Sequence, residues 1–407
     1  MAKYNAILVV DMGNSSTKIN VLTKGAKEKS YREKVFELPN EFAQVEKDYV
    51  VSTDYTPDTS CIFAIDSIQK DDGSVIAAGH YCAGLLRENE FSDNKIRPSA
   101  TVKKYRLDST YLSARLMFLY ATQAVAELHN QTNIESMDIT WKVVTLLPPG
   151  QISTGAKIME NLFKSITSVE YIFPQVTLPV NIDEVKVLAE GYCAYLATVF
   201  DKGHKFRNEY KSLIDENVII FDIGAGTTDC LVVKKNTLVQ NSKFTIDKGG
   251  NNVRGLVKYS LSEADIIIDD VELDHGLITG YIKDGTTKVD ISDYINKARE
   301  IIANSLVAGF QNFAETYDIK VRSIGYILIC GGGSISNADN TKIVPLSEKM
   351  VQNFKALAPN SKLIATPKSV VKKTDAEGNE ITVEEEISPK FLNLVGASIA
   401  AETLNFS

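Results

Sequence analysis

The sequence predicts an α/β protein made of two related halves. Three observations carry this. The stretches "ILVVDMGNSSTKINVL" (Ile7–Leu22) and "VIIFDIGAGTTDCLVV" (Val218–Val233) overlay without a gap. Each is an apolar run, Asp, one apolar residue, Gly, a cluster of small residues and a second apolar run, and Asp11 and Asp222 stand 211 residues apart. Between and after them, strand-like apolar runs alternate with helical patterns. A third glycine-rich loop, "YILICGGGSIS" (Tyr326–Ser336), follows a buried strand in the second half.

In chain order, Ile7–Val10 and Ile19–Leu22 read as the two strands of a hairpin, with the turn formers Asp11–Thr17 at its tip. Asp108–His129 reads as an amphipathic helix capped by Asp108 or Ser109. "KVVTLL" (Lys142–Leu147) is a buried strand stopped by Pro148-Pro149-Gly150, and Gln151–Ile166 is helix. Leu188–Phe200 is a short apolar helix that holds one acid, Glu190, and Asp201–Asn217 is a polar connector. The second hairpin pairs Val218–Phe221 with Cys230–Val233 around the loop Asp222–Thr228. Phe244–Ile246 is strand, and a Gly-Gly turn opens a helix near Asn251. Ile291–Tyr317 is a long helix, Arg322–Cys330 a buried strand and Ile343–Leu357 a helix. Lys368–Glu386 reads as an exposed, charged hairpin turning at Glu377-Gly378-Asn379, and Phe391–Ala401 closes the chain as an apolar helix.

Bulk properties narrow the function. The chain has 407 residues, 44% apolar and 24% charged, which suits two cores. A net charge of -8 argues against direct DNA binding, which relies on basic residues. The basic run Lys103-Lys104-Tyr105-Arg106 reads as solvated surface, with a polyanion as its alternative partner. Five scattered cysteines without a CxxC suit a reducing cytosol, and four scattered histidines offer no metal-ligand spacing. No signal peptide or bilayer-length apolar run is seen, so a cytoplasmic protein away from membranes is expected.

The loops suggest chemistry. Small residues let backbone N–H groups converge on phosphate oxygens. Gly13, Asn14, Ser15, Ser16 and Thr17 meet that need, as do Gly224, Ala225, Gly226, Thr227 and Thr228. Lys18 adds a point positive charge, while Asp11 and Asp222 are placed to hold Mg²⁺ rather than phosphate. Gly331, Gly332, Gly333 and Ser334 let backbone approach a flat nucleoside face. A lone Asp-x-Gly hairpin would be an ordinary turn, but two in register with a third glycine loop point to a nucleotide clamp. For Glu190 the residues leave two readings open: a carboxylate that orients an attacking water, or an exposed first-turn glutamate.

"VVDMGNSSTKINV", "VLAEGYCAYL", "IIFDIGAGTTDCLVV" and "ILICGGGSI" resemble, in order, the phosphate-1, connect-1, phosphate-2 and adenosine motifs of the actin-like ATPase superfamily. Gly396 in "LVGASIA" resembles its connect-2 motif. "VVTLLPPG" and "AAGHYCAG" are similar to elements of the bacterial plasmid-segregation actins of the ParM or StbA type. The resemblance implies a two-lobed fold of duplicated RNase-H-like domains with ATP or GTP and Mg²⁺ in a cleft. The first domain would be residues 1–187 with 391–407, the second 188–390. It also implies nucleotide hydrolysis that controls self-assembly into filaments, which move plasmid DNA through a DNA-binding adaptor protein. Asp11 and Asp222 become the Mg²⁺-side carboxylates, Glu190 the water-orienting residue, and Gly249, Gly250 and Asn251 a further nucleotide-contacting turn. The alternative is a non-polymerising small-molecule kinase of the same fold, for which the first half carries no substrate-directed acid or base signature.

Overall fold

The computed structural model describes residues 2–14, 16–24, 31–46, 48–91, 94–96, 102–239, 242–284, 287–334, 342–374 and 380–404. Ser15 and the expected turn at 377–379 lie outside the described residues. The chain divides into two compact units, Met1–Ala189 with Ala397–Ser407, and Glu190–Gly396.

The first unit is organised by a five-stranded sheet of β1 (Ala2–Met12), β2 (Ser16–Thr23), β3 (Arg32–Pro39), β9 (Met137–Leu147) and β12 (Asn181–Ala189), in the order β12-β9-β1-β2-β3. β1 is parallel to β9 and antiparallel to β2. Ala6 to Val10 are fully buried, which explains why this strand reads as a continuous apolar run rather than an alternating one. A second sheet joins β4 (Ala43–Val45), β5 (Ser60–Ile65), β8 (Gly79–Gly84), β10 (Ser168–Phe173) and β11 (Val176–Pro179), and β6 (Ile68–Gln69) pairs with β7 (Val75–Ile76). α1 (Leu85–Glu90), α2 (Asp108–Leu128) and α3 (Ile152–Lys164) complete the unit.

α2 departs from its expected amphipathic character. It is buried on nearly every side, from Ser109 to Ala126 with few exceptions, so it is a core helix. Its Phe118 meets the Trp141 ring edge-on at 5.8 Å. Its N-cap is Leu107, not Asp108 or Ser109. The Asp108 carboxylate instead accepts a hydrogen bond from Lys70 Nζ at 2.7 Å.

The second unit repeats the first sheet. β13 (Asn217–Ile223), β14 (Thr228–Lys234), β15 (Thr237–Leu238), β16 (Phe244–Ile246), β19 (Tyr326–Cys330) and β20 (Lys362–Leu363) form the order β20-β19-β13-β14-β15, with β16 also on β14. The senses match strand for strand: parallel, parallel, antiparallel, antiparallel. The hairpin register matches as well. Met12 faces Thr17 and Asp11 faces Lys18, while Ile223 faces Thr228 and Asp222 faces Asp229. Every member of the second set lies 211 positions after its counterpart. The duplication read from sequence is therefore a duplication of hydrogen-bond geometry.

β13 shows how both faces of the second sheet are covered. Ile219, Phe221 and Ile223 enter a core with Leu306, Phe310 and Phe354. Val218 and Ile220 enter another with Ala194, Tyr195 and Leu392. Period-two alternation thus feeds two helical layers. The first core is closed by α5 (Gly250–Glu263), α6 (Asp270–Thr279), α7 (Ser292–Thr316) and α8 (Leu346–Phe354). The second is closed by α4 (Tyr192–Val199) and the start of α9 (Leu392–Ala401). The end of α9 belongs to the first unit, where Ser398 Oγ accepts from Asn20 Nδ2 at 3.0 Å. β17 (Tyr281–Asp284) pairs with β18 (Thr287–Asp290), and β21 (Lys368–Thr374) with β22 (Glu380–Glu386), each as a separate ribbon.

The expected helix Leu188–Phe200 is shorter than read. Leu188 and Ala189 finish β12, Glu190 and Gly191 form a turn, and α4 starts at Tyr192. Gly191 has φ of 70°, a backbone state that ends the strand and starts the helix in a new direction. Among the described residues all five cysteines are buried, and no helix is long and apolar enough to cross a membrane.

Two predictions follow from packing. A Cβ at Gly396 would overlap the Cys193 carbonyl of α4, a backbone group that cannot swing aside. Gly396→Ala is expected to destabilise the protein by at least about 3 kcal/mol, read by urea denaturation. By contrast, among the described residues β21 and β22 pair only with each other. Replacing Ser369–Glu385 by a short Gly-Ser linker is expected to leave the unfolding free energy within about 1 kcal/mol of the parent.

Candidate functional site

The tip of the first hairpin is set by one main-chain hydrogen bond, from Gly13 N to Ser16 O at 2.9 Å. Gly13 is tightly placed: a Cβ would lie 3.0 Å from Ser16 O, so a larger residue would need the loop to give slightly. The loop is braced from outside. Asn40 Nδ2 donates to Gly13 O. Ser113 Oγ donates to Asn40 Oδ1 at 2.6 Å, and Thr17 Oγ1 donates to Ser113 Oγ at 3.3 Å. Ser16 Oγ donates to Glu37 Oε1 at 2.5 Å. Asn14 is half-buried beside this loop.

Asp11 lies on β1 rather than in the loop, and it is buried. Lys18 Nζ is 3.6 Å from its Oδ2, and Lys104 Nζ is 3.8 Å from its Oδ1. Both lysines are buried too. The sequence pointed to Lys18 but read Lys104 as part of a solvated basic run. The structure splits that run: Lys103 is exposed, Lys104 and Tyr105 turn inward, and Arg106 reaches Asp71 at 3.2 Å. A short 3₁₀ turn, Lys104–Arg106, produces the split.

The second hairpin has the same tip, with Gly224 N donating to Thr227 O at 2.8 Å. Two further loops close on it. Gly250 N donates to Gly224 O at 3.0 Å, and Asn251 N to Ala225 O at 2.7 Å. A Cβ at Gly249 would lie 2.5 Å from Gly224 O, and one at Gly333 would lie 2.7 Å from the same atom. Gly331 has φ of 86°, and a Cβ there would collide with Ile223 O and Asp222 Oδ1. The structure therefore brings together the Gly224–Thr227 loop, the Gly249–Asn251 turn and the Gly331–Gly333 loop. Gly226 and Thr227 are half-buried at the tip, and the Thr228 hydroxyl donates to Lys248 O at 2.7 Å. Gly332 is exposed, with nothing among the described residues within 4 Å of a Cβ placed there. The Ser334 backbone ends the 3₁₀ turn Gly332–Ser334. The N–H groups of Gly250 and Asn251 are already bonded to the loop, so their part is to shape it.

Asp222 is buried, and Asn393 Nδ2 donates to its Oδ2 at 2.5 Å. Asn393 Oδ1 in turn accepts from Gly191 N at 2.8 Å. Asn393 thus ties the Glu190–Gly191 turn to the Asp222 carboxylate. Its signal in sequence is a lone amide in the apolar run "FLNLVGASIAA", which only a search for buried polar residues would catch. Glu190 is 9% exposed, so it is not the solvated glutamate of the alternative reading, and its carbonyl accepts from Tyr192 N at 2.7 Å.

The two hairpins differ in charge at one equivalent pair of positions. Where Asp11 faces Lys18, Asp222 faces Asp229. Asp229 is buried and accepts from Thr245 Oγ1 at 2.5 Å. Two carboxylates directly opposite each other on a sheet repel, and a cation relieves that. Burial first, then the negative charges of Asp229 and Asp222, push the Cys230 thiol well above its ordinary range. Among the described residues no group of three or more His, Cys, Asp or Glu is placed to hold a metal ion. A divalent cation here would complete its shell with water and phosphate oxygens, as Mg²⁺ commonly does. The residues of the second hairpin fit Mg²⁺, and the small-residue loops with Lys18 fit phosphate.

Comparison with known proteins agrees with this architecture. The family described as archaeal actin homologue MreB-like, C-terminal, matches residues 220–341. No curated protein sequence matches the chain. Among solved structures, the actin-like protein Alp7A is similar with a TM-score of 0.65 at 16% identity, covering 98% of this chain and 96% of that one. A 15-stranded ParM filament from Clostridium botulinum gives 0.60 at 15% identity, covering 99% and 100%. Bacillus thuringiensis ParM with AMPPNP gives 0.57 at 15% identity, covering 98% and 99%. The resemblance drawn from the motifs is thereby borne out at the level of the fold: this chain has the actin-like fold of ParM and Alp7A.

Proposed function

We propose that the chain is a nucleotide-hydrolysing, filament-forming actin homologue. The observation that carries this is the duplicated hairpin. Two tips of identical hydrogen-bond register each turn at a glycine and carry opposite charge, inside an actin-like fold. In this reading Gly13, Asn14, Ser16, Thr17 and Lys18 bind phosphate, with Ser15 completing the loop. Gly224 to Thr228 form the second phosphate loop, and Gly331 to Ser334 flank the nucleoside. Asp222 and Asp229 offer the carboxylates for Mg²⁺, which when bound neutralises phosphate charge. Glu190, kept out of bulk water at the turn, orients the attacking water, and Asn393 holds that turn against Asp222. ATP is the first nucleotide to test, because a structurally similar ParM is described with AMPPNP; GTP is the second. Self-assembly is supported by the likeness to a ParM filament. Plasmid segregation through a DNA-binding adaptor protein, in the cytoplasm, is the cellular role that the segregation-actin resemblance supports.

High-speed centrifugation tests the reading. The protein is expected to sediment with Mg²⁺ and ATP or GTP, and to stay in the supernatant without nucleotide. A chain that never sediments and phosphorylates a small molecule is a kinase instead. Glu190→Gln is expected to keep nucleotide affinity within about twofold and to slow phosphate release by about 100-fold, so that pelleted polymer persists. An unchanged release rate removes that role from Glu190. Asp222→Ala is expected to weaken Mg²⁺-nucleotide binding by at least about tenfold in equilibrium titration.

A further inference from the structure

Lys104 was not part of the motif-based site, yet its ammonium lies beside Asp11. Its ammonium is 3.8 Å from Asp11 Oδ1, while that of Lys18 is 3.6 Å from Asp11 Oδ2. The side chains of Lys18, Lys104 and Asp11 are only 9–10% exposed. One carboxylate stands between two ammonium groups. Both separations exceed ordinary hydrogen-bond length, so the ammonium groups attract the carboxylate without being locked to it. Two buried ammonium groups beside a cradle of small residues suit an oxyanion.

The residue is also positioned by several elements. Lys104 N donates to Gln151 Oε1 at 2.9 Å, and Lys104 O accepts from Thr110 Oγ1 at 2.7 Å. Next to it, Tyr105 lies against Gly155, where any Cβ would strike the ring, and its hydroxyl is 3.1 Å from Thr154 Oγ1. The helices α2 and α3 thus hold this turn from two sides. Such preorganisation reduces the entropy lost when the lysine engages a ligand.

We propose that Lys104 is a second phosphate-binding lysine of the first unit. It acts with Lys18 on the phosphate chain of the nucleotide, and Asp11 serves both as the counter-charge that keeps them aimed. This deepens the nucleotide-binding reading and rests on it.

The test is equilibrium displacement of a fluorescent nucleotide from the full chain, with ATP and with adenosine as competitors, alongside thermal melting without ligand. Lys104→Met is expected to weaken ATP by at least about tenfold and to leave adenosine within about twofold. Its ligand-free melting temperature should stay at or near the wild-type value, because one of two like charges has been removed. Lys104→Arg, which keeps the charge, should recover most of the ATP affinity, and exposed Lys103→Met should change nothing. An ATP affinity unchanged in Lys104→Met, with wild type binding normally, overturns the assignment. So does a Lys104→Met chain that fails to fold or melts far below wild type, since that makes the lysine structural. Wild type that binds no nucleotide at all would instead overturn the underlying functional reading.

Discussion

The close approach of main chain to main chain around Gly224 is the constraint on which the second unit's site rests. Two separate loops place backbone against the Gly224 carbonyl, each through a glycine whose Cβ would overlap it. No side-chain adjustment can substitute for that, because the colliding atoms belong to the backbone. The neighbouring Gly331, at φ of 86°, passes equally close to Ile223 O and Asp222 Oδ1. The shape of the loop and the position of the carboxylate are therefore set by the same few residues. The first unit reaches a similar tip by a different route, bracing Gly13 and Thr17 with the side chains of Asn40 and Ser113.

One difference of charge distinguishes two hairpins that share one geometry. The strands, their order and their register are common to both hairpins. What differs is the residue facing the inner aspartate, Lys18 in one and Asp229 in the other. A strand position opposite a buried carboxylate either neutralises it or doubles it. The first outcome favours an anion nearby and the second a cation, with no alteration of the scaffold.

Much of this was legible from residue order. The repeat could be read because hairpin register, glycine placement and apolar runs are all local in sequence. The expected strands at Ile7–Val10 and Val218–Phe221 lie inside β1 and β13, and the long helices lie where periodicity put them. What was not legible depended on burial. The four-residue basic run reads as one surface feature, but a 3₁₀ turn carries its two middle members inward, and the small Gly155 makes space for Tyr105. Asn393 looks like a minor blemish in an apolar helix until its two partners, 202 and 171 residues away, are known. The boundary at Glu190 was lost because an apolar strand end and an apolar helix start look alike until Gly191 is seen at positive φ.

The ribbon formed by β21 and β22 enters and leaves the second unit at nearly one point, since Ile387 N donates to Pro367 O at 2.8 Å. Arg207 Nη1 adds a bond to Lys368 O at 2.6 Å beside that root. Chain inserted there departs and returns through a closed gate, so the host sheet never feels its length. The protein thereby owns a port where new sequence, whether drifted or grafted, can be carried as cargo on an otherwise unaltered body.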